Sequence, residues 1–312
     1  MSFAFLASLL LTQYAPPPPT SNLSPRPNFN RTCAEWGLQS HACLVDTVRA
    51  LDNARRKEGI GPIYLPRNWT NLTPADQIFV ITNLERIARS EHPLPGLTAS
   101  LNRVAKRGAA RGTDPILRSP AGPALSIWAE GVGPLASDYG WMYDDGWNGP
   151  LRRTPNLACT SATATGCWGH RDNILAEWSR RLLAGRPGTW YLIAGAAQVP
   201  TITRTVLPID RSITEDSDAM IVTAVEQPPH YVYTWAQAVA EGAGSAAKGW
   251  NPAAVPRPLE EAGTWIRTHA RDVLVGVIVV GLLALTATRQ GRRPRPKKVY
   301  RLSRFRRRRS RP

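Results

Sequence analysis

The 312-residue chain carries 39 Lys and Arg against 23 Asp and Glu, a formal charge of +16, together with 28 prolines. Thirteen of the cations and none of the acids fall within 289–312, so residues 1–288 hold 26 cations against 23 acids, a net +3. A body so nearly balanced argues against specific nucleic-acid binding by the whole protein and makes the charge a property of the tail; the length allows one sizeable domain with appendages, or two small domains.

Taken in order, residues 3–11 form an apolar run too short to span a bilayer and suited to the core of a secretory signal, so residues 1–15 read as a signal peptide. No Lys or Arg precedes the run and Pro16 follows Ala15, which leaves the cleavage point open. Residues 16–32 are a stiff proline-rich spacer. Cys33 and Cys43 bracket a small loop. Leu44, Val45, Val48 and Leu51 then recur at helical spacing, predicting a helix to about Lys57 that stops at Gly59-Ile-Gly-Pro62. Thr73-Pro-Ala-Asp76 starts a second helix, with Thr73 as N-cap and Pro74 at the first position. Ile78, Phe79, Ile81, Leu84 and Ile87 are its core face. Thr98 caps a third helix with Leu101, Val104, Ala105 and Ala109 inward and Lys106, Arg107 and Arg111 solvated. Leu135–Asp145 is a fourth. Trp190–Gln198 and Ala219–Glu226 read as strands and Thr201–Leu207 as a further short one. Tyr231–Lys248 reads as a helix weakened by Gly242 and Gly244, and Gly249–Pro258 as a linker.

Four cysteines permit three disulfide connectivities or free buried thiols. Their two close pairs, in a chain with export signals, favour Cys33–Cys43 and Cys159–Cys167. Residues 273–288 are sixteen uncharged, mostly apolar positions, slightly short for a spanning helix of about 20 residues. Arg271 and Arg289 can snorkel outward, and the thirteen cations that follow mark the cytoplasmic side. The expected topology is a single-pass cell-membrane protein with the folded domain extracellular. The tail, 289–312, is expected to be disordered alone and to face anionic lipid headgroups, where each cation contributes about 1 kcal/mol. Sequons begin at Asn22, Asn30, Asn68 and Asn71.

The densest chemistry lies in Gly166-Cys-Trp-Gly-His-Arg-Asp-Asn-Ile-Leu175, where Asp172 suits the start of a short helix that presents His170. Gly169-His-Arg-Asp-Asn-Ile-Leu175 resembles the signature of bacterial SCP-like proteins of the CAP superfamily. Leu65–Arg86 and Tyr139–Gly146 are similar to a divergent bacterial branch of it, so the resemblance runs over roughly 62–227. It implies an α+β fold, a CAP-like α-β-α sandwich, in a domain placed at 33–227. A helix and proline-rich linker (228–258), a transmembrane helix (273–288) and the basic tail would follow. It also implies a cavity of two histidines and two acids, which in some members binds a divalent metal.

Here His170 alone maps onto that cavity as a histidine. Asp114 is the nearest polar substitute for the upstream histidine. Glu130 is a match to the family's glutamate, although Gly131 and Val132 follow it. Asp138, Asp144 or Asp145 stands in for the second acid. The expected binding set is therefore His170, Glu130, Asp114 and Asp144, with His170 as the metal ligand and His170, Glu130 and Asp138 as the catalytic candidates. No nucleophile elbow, Walker loop or dinucleotide fingerprint is present. The expectation is a noncatalytic domain that binds a lipid, glycan or protein ligand at the cell envelope, with a hydrolase using the His/acid pocket as the alternative.

Overall fold

The computed structural model describes residues 21–118, 120–150, 156–178, 182–206 and 211–254. Helices start where side chains take up free backbone N–H groups. Asn28 caps α1 (Phe29–Trp36), Ser40 caps α2 (His41–Lys57), Thr73 caps α3 (Pro74–Ile87) with Pro74 in its first turn, and Thr98 caps α4 (Ala99–Arg111). α4 ends at Gly112, whose φ of 64° is the left-handed stop that glycine tolerates. α5 (Pro134–Tyr143), α6 (Gly169–Ile174) and α7 (Trp235–Ala240) complete the helices described.

The strands are β1 (Gly96–Leu97), β2 (Ala124–Gly131), β3 (Tyr191–Val206), β4 (Arg211–Val225) and β5 (Tyr233–Thr234). They form a mixed sheet of order β2-β4-β3-β1-β5, parallel only between β1 and β3. The fold is thus α+β. Alternation along the strands sorts the core. Ile193 and Ala197 on β3 and Ile221 on β4 pack with Leu101, Val104 and Ala105 of α4. Ala194, Ala196, Met220 and Val222 look the other way, toward α3, into the larger core that also holds Val48, Leu51, Ile78, Phe79 and Tyr139. Helices therefore lie on both faces of the sheet. Gly195 lets α4 approach closely: a Cβ there would fall 2.1 Å from the backbone carbonyl carbon of Leu101.

Both disulfides form as expected, Cys33–Cys43 and Cys159–Cys167. The Cys33–Cys43 segment is not a plain loop, because α1 precedes the turn and carries Cys33 on its buried face. Ile127–Gly131 belongs to edge strand β2, and Thr201–Val206 continues β3 past an irregularity between Pro200 and Thr203. The helix expected over 231–248 shrinks to six residues, since Gly242 and Gly244 turn with φ of 100° and 74°. The expected linker begins inside the fold. Leu65 and Trp250 exchange backbone hydrogen bonds of 2.8 Å, and Asn251 donates to Asp52 Oδ2 and the Ile63 carbonyl. Among the described residues no helix is long and apolar enough to cross a membrane; the expected signal peptide, the expected transmembrane segment at 273–288 and the basic tail lie outside them.

Candidate functional site

Asp145 organises the site. α5 ends at Tyr143, so Asp145 leaves the helix in the turn beyond it and drops into the protein, where it is 2% exposed. Its Oδ1 lies 2.6 Å from His170 Nδ1 and accepts from Asn156 Nδ2 at 2.8 Å. Its Oδ2 accepts from the backbone N–H of His170 at 2.8 Å and of Arg171 at 3.3 Å. Four donors fill the four acceptor positions of one carboxylate. Asp145 thereby caps α6, whose own N-cap residue, Trp168, offers no side-chain cap. Trp168 adopts φ of 64°, unusual for a bulky residue. Its N–H bonds the Asp145 carbonyl, and its ring lies over Gly146, where a Cβ would come within 2.4 Å of it.

His170 is fixed on one side and open on the other. With Nδ1 donating to Asp145, Nε2 is the nitrogen left to act, and the side chain is 19% exposed. Asp114, on the turn after α4 and 53% exposed, sits 3.8 Å from Nε2, longer than a direct hydrogen bond but close enough for its charge to act on the ring. Burial opposes charge on the ring, but hydrogen bonding and attraction to Asp114 and Asp145 outweigh it and raise the imidazole to about 9.

Behind the histidine runs a buried ionic chain. Arg171 bonds Glu58 through both nitrogens and donates to the Met142 carbonyl at 2.7 Å. Glu58 accepts from Arg89 at 2.7 Å, Arg89 reaches Glu85, and Glu85 accepts from Arg55 at 2.9 Å and from the Tyr143 hydroxyl at 3.1 Å. Burial would raise the Glu85 carboxyl, yet Arg55 and Arg89 overcome that and hold it at about 2. Each ion has partners, which is what makes burial of these charges tolerable.

The candidate acids separate accordingly. Asp114 lies beside His170. Asp144 caps the end of α5 and is pushed up to about 6, by burial first and by Asp145 second, with Asn22 opposing. Glu130 lies exposed near the end of β2, beside Ser217 of β4. Asp138 is fully buried on α5, and neither carboxyl oxygen has a hydrogen-bond partner among the described residues. Burial and then the neighbouring Glu85 push its carboxyl well above the usual carboxylate range. Of the three stand-ins for the second acid, Asp145 is the one that reaches His170.

The donor set falls short of a zinc site. Nδ1 is committed to Asp145, leaving Nε2 and Asp114, whereas a zinc site takes three or four protein ligands. Among the described residues no group of three or more His, Cys, Asp or Glu is placed to hold one. Asn156 and Glu58 carry no signal in the sequence, because their roles exist only once distant segments meet. No family model matches the chain, and no curated protein or solved structure matches it.

Proposed function

We propose that the chain is a membrane-tethered, extracytoplasmic CAP-like domain that binds a lipid, glycan or protein at the cell envelope through His170, without catalysis. The motif residues on α6, the mixed sheet with helices on both faces and the two disulfides support this reading. The observation that carries it is the fixed pair: Asp145 holds His170 at 2.6 Å while Nε2 stays open toward Asp114. Such a ring is a positioned hydrogen-bond donor bearing charge at neutral pH and, with the Asp114 carboxylate beside it as an acceptor, is suited to a hydroxyl-bearing ligand.

The hydrolase alternative draws on the same contact, which is the orienting half of a nucleophile–base–acid triad. A ring that gives up its proton near pH 9 is, however, a weak general base at neutral pH. The test is binding of the full-length protein to arrays of phospholipids and envelope glycans. His170→Ala and Asp114→Asn should each weaken binding by about tenfold or more, while cooperative unfolding is kept. His170-dependent turnover of ester, glycoside or peptide substrates, or binding indifferent to both substitutions, would overturn the proposal.

A further inference from the structure

α4 presents a cationic face that the His170 site leaves unused. Buried Leu101, Val104, Ala105, Gly108 and Ala109 point at the sheet, and Arg103, Lys106, Arg107 and Arg111 lie exposed on the opposite side. At about 100° per residue, these four cations fall within an arc of roughly 140°. The helix carries no acid, and the four cations have no ion-pair partner among the described residues.

The surrounding sequence is equally one-sided. Residues 99–118 hold five cations and one acid, a net +4, so the rest of 1–288, which totals +3 with them, sums to −1. The body's positive excess is therefore concentrated on this helix and the turn after it. The one acid, Asp114, already faces His170 at 3.8 Å. Pro115 rests on Gly108, where a Cβ would come within 2.8 Å of its ring. The turn thus folds back on α4 and keeps exposed Ile116 and Arg118 close to its C-terminal end.

We infer that this face docks on the anionic headgroups of a lipid bilayer, with Ile116 entering the interface. The inference rests on the membrane-tethered reading above. Guanidinium groups match phosphate oxygens two at a time, and charges already fixed on one helix need little ordering to act together.

The experiment uses the full-length chain in nanodiscs of phosphatidylcholine alone or mixed with phosphatidylglycerol. Acylation of Lys106 is followed by mass spectrometry against Lys57, an exposed lysine at the end of α2. In anionic discs the Lys106 rate should fall at least about fivefold relative to Lys57, and about 0.5 M NaCl should restore it. The Arg103→Gln/Arg107→Gln/Arg111→Gln variant should lose the protection. An equal ratio in both lipids, protection in neutral discs, or protection by soluble polyphosphate alone would overturn the inference. If the chain fails to enter discs, tethering fails; the same ratio on anionic vesicles, which the basic tail alone can hold, still decides the case for α4.

Discussion

Arg171 bonds both carboxylate oxygens of Glu58, at 3.0 and 3.1 Å, across 113 residues of sequence. The pair ties the helix that carries His170 to the end of α2, and so makes the open ring nitrogen part of a rigid body. Arg171→Met should cost about 1–3 kcal/mol, since Glu58 keeps Arg89 but loses its second partner and the Met142 carbonyl loses its donor. Glu58→Gln/Arg171→Met should cost less than the two single changes summed. Urea unfolding of the four proteins checks both expectations.

Asp138 should be a liability above mildly acidic pH. A carboxyl raised in the folded state contributes no penalty below its unfolded value near 3.8, and a growing one as pH climbs toward the folded value. Asp138→Asn removes that ionisation and nearly keeps the shape. The variant should be more stable than wild type at pH 7 by about 1 kcal/mol or more, with the gain shrinking toward pH 4. A gain independent of pH would point to packing instead.

The contact between α4 and β3 depends on the absence of one side chain. Gly195→Ala would drive a methyl group into the Leu101 backbone, which cannot rotate away. A loss of about 3 kcal/mol is expected, at the upper end for overpacking. Thermal unfolding monitored by circular dichroism measures it.

The proposed sidedness can be tested at the cysteines. In cells expressing the full chain, a membrane-impermeant maleimide should label Cys159 and Cys167 only after an external, impermeant reductant is applied. Labelling that needs permeabilisation and no reductant would place the domain inside. Replacing both residues by Ser should cost about 2–3 kcal/mol.

Much of this architecture is legible in local sequence. The caps Thr73 and Thr98, the apolar stripes of α3 and α4 and both cysteine pairs are short-range signals, and they mark real features. What local signals miss is what tertiary contact creates. α1 hides behind prolines that read as spacer, and Trp250 looks like linker until it pairs with Leu65. In the site, the histidine motif picks out His170, but the choice among Asp138, Asp144 and Asp145 depends on where α5 stops. One residue of helix more or fewer changes which acid faces the ring.

The most direct test is the titration of His170 itself, followed by proton–nitrogen correlation spectra of the full-length protein. The ring should carry protons on both nitrogens at pH 7 and titrate near 9. Its stabilising contribution should be complete below about 6.5, the ordinary histidine value, and be lost as pH rises through about 9. Asp145→Asn should bring the transition down. A ring already neutral at pH 7, titrating at or below 6.5, would contradict the charged binding group and restore His170 as a general base.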